Sequence, residues 1–290
     1  MEQQATRHYG SLQDYQRVRD ELLTRIVAVL ATDPRVGAAW LSGSFGRGEE
    51  DAWADLDLHV AVIDEYLDAF LDERDVLYRQ VGTPVLVQGE MASDAMASAR
   101  FQLVLFDGPV EVDWNIGPLT KAVRPVTSCM LVERTPVPTA SLPPLSTGEW
   151  QRQATSWLVF FWAMAPIAVK YAGRGETRQA VQQLDLLSRA SIALWRLLHG
   201  PVSTEPQLNW TNRILEPELD GQLPQLEPTI NPFTALATIR AHCAAVERFH
   251  SEFAQRGVPV PAAMPAQVTT LCDLAELVLH QGIPARRPYR

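Results

Sequence analysis

The stretch Leu41-Ser-Gly-Ser-Phe-Gly-Arg-Gly-Glu-Glu-Asp-Ala-Trp-Ala-Asp-Leu-Asp-Leu-His59 decides how the rest of the chain is read. Val36 to Leu41 is a continuous apolar run that predicts a buried strand. Gly43-Ser44-Phe45-Gly46-Arg47-Gly48 is a glycine-rich turn, and Asp55 to Val62 predicts a second strand. Asp55 and Asp57 are two apart and project from one face, while Leu56, Leu58 and Val60 take the other into a core. Two carboxylates this close repel at neutral pH, and a divalent cation between them removes the repulsion. A hard ion such as magnesium prefers such oxygen ligands and keeps positions for water and phosphate. On its own, an Asp-x-Asp pair is more often a solvated strand end.

Two neighbours change that balance. Gly43 allows a phosphate to approach the backbone, where exposed amides and the Ser44 hydroxyl can bind it. Downstream, Phe101 to Phe106 and Val110 to Ile116 flank Asp107-Gly108-Pro109, a hairpin signal. Its returning strand carries Glu111 and Asp113 on a polar face opposite Val110, Val112 and Trp114, and Asp113 is the expected third carboxylate. Three carboxylates on neighbouring strands suit a two-ion site.

Outward from this centre, Ser11 is placed to cap a helix with Leu12, Tyr15, Val18, Leu22, Ile26 and Leu30 at helical spacing, ended by Asp33-Pro34. Glu65 to Gln80 predicts a helix and Thr83 to Val87 a strand. Four prolines between Thr135 and Gly148 mark a linker over 136–148. Beyond it no strand is expected, only helices over Glu149 to about Ala172, Glu176 to His199, Phe233 to Gln255 and Pro265 to His280, with a long proline-rich connection from Pro201 to Pro232. The expected fold class is α+β: a mixed sheet flanked by helices over 1–135, then an all-α bundle over 149–290 that would supply the substrate domain.

Composition narrows the chemistry. The chain has 290 residues, a net charge of -9 and a pI near 5.2, so a nucleic-acid polymer is a poor substrate and a small or cationic one fits the field. Cys129, Cys243 and Cys272 show no ligand spacing and are expected to be buried, in a reducing cytoplasm. No secretory leader is legible at the polar N-terminus, and the apolar run Trp157 to Val169 is too short for a membrane span, so no membrane is expected. P-loop, nucleophile-elbow and zincin motifs are absent.

The ordered set of Gly43-Ser44, Asp55-x-Asp57 and a later Asp113 resembles the DNA polymerase β-type nucleotidyltransferase superfamily over residues 41 to 115. With a helical C-terminal domain, the architecture is similar to the aminoglycoside nucleotidyltransferases. The run Phe160 to Lys170, then Arg174-Gly-Glu176 and Ala180, resembles the streptomycin 6-adenylyltransferase type. The resemblance implies two magnesium ions held by Asp55 and Asp57, with Asp113 on the catalytic one and able to accept a proton. It implies a triphosphate, from ATP or another NTP, on Gly43 and Ser44. The implied reaction moves AMP onto a hydroxyl of a small molecule, such as an aminoglycoside-like antibiotic, and releases pyrophosphate. Arg47 and Lys170 are candidate phosphate contacts, and Arg174 a weaker one. Glu90 is a candidate base, Asp185 a candidate acceptor contact, and Trp53 and Trp114 candidates for stacking a base. His59 reads as a satisfied structural histidine. The competing expectations are AMP transfer onto a protein, as in toxin–antitoxin nucleotidyltransferases, and an inactive nucleotide-binding module. Monomer and homodimer are equally compatible with the sequence.

Overall fold

The computed structural model describes residues 11–93, 96, 98–140, 145–199, 222–224 and 230–282. The chain divides into two compact units, Met1–Ser141 and Leu142–Arg290. In the first, helix α1 (Leu12–Thr32) starts at Ser11, whose hydroxyl accepts the Asp14 amide. Val18, Leu22, Ile26 and Leu30 recur every fourth residue and are all buried. Each such side chain contributes roughly 1.5–3 kcal/mol when fully buried. Asp33 stops the helix, and β1 (Val36–Leu41) follows with every residue buried. A short helix, α2 (Gly43–Arg47), leads to β2 (Leu56–Val62).

After a 3-10 turn at Asp64–Tyr66 come α3 (Leu67–Val81), β3 (Pro84–Val87), β4 (Met91–Ala92), β5 (Arg100–Phe106) and β6 (Val110–Pro118). The unit closes with β7 (Arg124–Pro125), β8 (Cys129–Glu133) and β9 (Thr139–Ala140). The main sheet runs β3-β5-β6-β2-β1-β8, with β4 alongside β5. All its pairings are antiparallel except β2 with β6. That parallel pair exists because α3 and the β3–β5 segment carry the chain back across the sheet. The expected hairpin is β5–β6, turning at Gly108 with φ +96°. The expected mixed α+β sheet is present.

One face of the sheet packs its Leu, Val and Trp114 side chains against α1 and α3. The other carries a smaller apolar cluster around Trp40, Ala61, Met96 and Val137. Val137, within the proline-rich segment, is thus part of this packing, and Thr139–Ala140 pairs with β7. The short strands β4, β7, β8 and β9 were not expected, because two to five residues leave no readable alternation.

The second unit contains α4 (Thr147–Gly173), α5 (Thr177–His199), α6 (Pro232–Gln255) and α7 (Met264–Gln281), with no strand among its described residues. Ser146 and Glu149 form a capping box for α4, and Asn231 with Thr234 form one for α6. Leu158, Phe161, Trp162, Leu184, Leu187 and Phe253 belong to one buried core. Helix α4 runs as one helix through Pro166, and its 27 residues are long and apolar enough to cross a membrane. Its buried side chains belong to that core. Most of the Pro201 to Pro232 connection lies outside the described residues. Cys243 and Cys272 are buried as expected, whereas Cys129 is exposed, because it opens β8, a strand of the sheet edge.

Candidate active site

The parallel ladder between β2 and β6 fixes the centre. Asp57 lies directly opposite Asp113, and His59 opposite Asn115. Both strands alternate, so Leu56, Leu58, Val112 and Trp114 face the core while Asp57, Glu111 and Asp113 face the other side, half-buried. Asp55 sits one residue before β2 and is also half-buried.

Charge is badly balanced here. Burial pushes the Asp57 carboxyl up to about 6, with Asp55 and then Glu111 adding to the effect and the Arg47 guanidinium opposing it. Burial likewise raises Asp113 to about 7, with the charges of Asp57, Glu111 and Asp55 adding to it. Glu111 is raised by burial and by Asp55. Four acidic groups therefore feel one another, and Arg47, itself 2.7 Å from Glu49, is the cation that counters Asp57.

The glycine turn closes against this group. Gly43 has φ +58°, and a Cβ placed on it would fall 1.8 Å from Asp57 Oδ2. Glycine is needed there for both conformation and space. The Ser42 amide donates to the Asp57 carbonyl at 2.9 Å, which ties the turn to β2. Ser42 Oγ and His59 Nε2 share a 2.8 Å hydrogen bond, and the His59 ring stacks on Trp40. Burial pushes His59 down to about 4, so its ring is neutral near pH 7, but it is only half satisfied, since Nδ1 is buried without a partner.

At this site two buried oxygens, Ser44 Oγ and Asp113 Oδ1, have no hydrogen-bond partner. Buried polar atoms are rarely left so. The donor set, all hard oxygens with excess negative charge, fits a magnesium-like cation. Among the described residues, no three of His, Cys, Asp and Glu are grouped closely enough to hold an ion between them as they stand. The carboxylates are carried by β6 and by β2 with the residue just before it.

Asp55, Asp57, Asp113, Gly43, Ser44 and Arg47 thus come together, as the geometry and the mutual charge effects record. Lys170 is exposed in the last turn of α4, in the second unit, and Arg174 caps the same helix. Glu90 pairs with both Arg74 and Arg100. Asp185 is exposed and pairs with Arg189 one turn on. Trp114 is fully buried against Tyr78, on the face away from the carboxylates, so it cannot stack a base. Trp53 is 64% exposed and leans on Tyr15. Asn115 was missed: it is buried two residues after Asp113 and accepts the Ser93 hydroxyl at 2.6 Å. Its only sequence signal was its place on the polar face of β6. A concavity of about 440 Å³ at the β3 edge, lined by Arg79, Thr83 and Leu86 among others, includes none of the site carboxylates.

No family model and no curated protein matches the chain. Among solved structures it is similar to an aminoglycoside 6-adenyltransferase from Bacillus subtilis, at 12% identity over 90% of this chain and 98% of that one, with a TM-score of 0.36. A superposition that loose carries no weight for activity.

Proposed function

We propose that this protein is a magnesium-dependent nucleotidyltransferase that moves the nucleoside monophosphate of an NTP, ATP being the expected donor, onto a hydroxyl of a small acceptor. The observation that carries the reading is the facing pair Asp57 and Asp113, closed over by a glycine whose missing side chain leaves room at Asp57 Oδ2. Asp55, Asp57 and Asp113 would hold the ions. Magnesium, when bound, would neutralise charge on the phosphates and orient the α-phosphate for in-line displacement. Gly43 lets the triphosphate approach the backbone, and the Ser44 hydroxyl, now without a partner, donates to a phosphate oxygen. Arg47, whose charge is felt at Asp57, would turn to the same phosphates after releasing Glu49.

The acceptor oxygen forms a bond to the α-phosphorus as the bond to the bridging oxygen breaks. The electron pair leaves with pyrophosphate, and the hydroxyl proton passes to Asp113. The excess of carboxylates and the net charge of -9 favour a cationic acceptor, such as an aminoglycoside-like antibiotic. A cytoplasmic location goes with an NTP donor.

The test is calorimetry with ATP in the presence and absence of magnesium, followed by pyrophosphate release across a panel of aminoglycosides, lincosamides and polyols. Metal-dependent ATP binding that Asp57→Ala removes supports the reading, and binding indifferent to both overturns it. Label from ATP appearing on a protein band rather than on a small molecule would instead favour AMP transfer to protein. Nucleotide binding without any transfer would mark an inactive binder.

A further inference from the structure

Arg19 sits on α1, outside every motif described above, yet its side chain is among the most buried in the first unit, at 1% exposure. A guanidinium withdrawn from water is costly unless its donors are used. Its Nη1 donates to the Asp51 carbonyl at 2.7 Å and to the Ala54 carbonyl at 3.2 Å. Nε and Nη2 both donate to Asp20 Oδ1. The guanidinium also lies 4.9 Å from the centre of the Phe45 ring, a cation–π contact. Tyr15, one turn earlier on the same helix face, packs on Trp53.

These contacts are not scattered. Phe45 directly follows Gly43-Ser44, and Ala54 directly precedes Asp55. The loop between them has little regular structure of its own to hold the carboxylate strand and the glycine turn together. One nitrogen of Arg19 grips both ends of Asp51–Ala54, and the plane of the same group rests on Phe45. We infer that Arg19 is a positioning residue for the nucleotide site, holding the glycine turn and the Asp55–Asp57 strand entry in mutual register. The role rests on the nucleotidyl-transfer reading. A lysine would keep the charge but supply neither the fork nor the flat face.

The experiment compares wild-type protein with Arg19→Met, Arg19→Lys and Phe45→Leu, the last removing only the ring and serving if the Arg19 variants fold poorly. Hydrogen exchange of amides 49–57 reads the loop without any ligand, and calorimetry reads magnesium-ATP affinity. Expected are exchange faster by about tenfold and affinity weaker by about tenfold in Arg19→Met and Arg19→Lys, with a smaller change of both in Phe45→Leu. In an Arg19→Ala variant, added methylguanidinium is expected to slow exchange and restore part of the affinity, whereas methylammonium is not. Fast exchange with unchanged affinity overturns the role, since Arg19 would then hold the loop for stability alone. Wild-type behaviour of Arg19→Lys in both readouts, or of Phe45→Leu where the Arg19 variants do not fold, also overturns it. Wild-type protein that binds no magnesium-ATP overturns the nucleotidyl-transfer reading itself, while the exchange data still report whether Arg19 clamps the loop.

Discussion

Gly43 is the position where one added carbon has the clearest consequence. Its φ of +58° penalises any side chain, and the added Cβ would meet Asp57 Oδ2 at 1.8 Å. Gly43→Ala is therefore expected to cost about 1–3 kcal/mol of stability from backbone strain. It should also displace the Asp57 carboxylate, so that magnesium-ATP binding falls further than stability does. Thermal melting and calorimetry on the same sample separate the two effects. Asp113 behaves in the opposite sense. It is ringed by Asp57, Glu111 and Asp55, with Oδ1 unsatisfied, so the ionised form is disfavoured in the metal-free protein. Asp113→Asn, measured in EDTA at pH 8, is expected to raise the melting temperature by a few degrees, on the order of 1 kcal/mol. The same variant should abolish transfer, and a drop in melting temperature would contradict the account of the charge cluster.

At the scale of elements, the register of β2 against β6 explains why the site was readable from sequence. The Asp-x-Asp spacing needed only the two-residue period of a strand, and Asp113 only the alternation of Val110, Val112 and Trp114. What the sequence could not show was that β2 and β6 are parallel neighbours, because that depends on where α3 and β5 carry the chain. Strand β8, short and half-exposed, gave no alternation to read, and Cys129 was misjudged with it. Arg19 was invisible for a related reason. It flanks the stripe of Val18 and Leu22, where a charged residue reads as solvated, and only the folded loop shows what it holds. The Ser11 cap was legible, since caps are local, whereas the cap at Asn231 was not read. Asn231 accepts the Phe233 and Thr234 amides, and Thr234 Oγ1 in turn accepts the Asn231 amide. Asn231→Ala should lower stability by about 1 kcal/mol in urea melts, with magnesium-ATP affinity unchanged.

Taken whole, the molecule carries a burial-depressed imidazole in each unit, His59 in the first and His242 in the second. In the second unit His242 on α6 is fully buried, with Nδ1 3.1 Å from Ser191 Oγ on α5 and Nε2 without a partner. Burial depresses this imidazole to about 4, against 6.5 for an exposed one. The unfolded chain therefore takes up a proton that the folded unit refuses. As pH falls from about 6.5 to about 4 the unfolded state is favoured progressively, and below about 4 the loss is complete. A depression of this size corresponds to a loss on the order of 3 kcal/mol. His242→Gln keeps a polar side chain of similar reach for Ser191 without a titrating group. It is expected to flatten the fall in urea stability between pH 6.5 and 4, even if it lowers the plateau at pH 8. A variant whose stability falls as steeply as the wild type over that window would show that His242 does not contribute to the acid sensitivity, which His59 is expected to share. The contrast with the first unit is physical. There the depressed imidazole of His59 stands beside carboxylates whose proton affinity is raised, whereas in the second unit burial alone depresses His242.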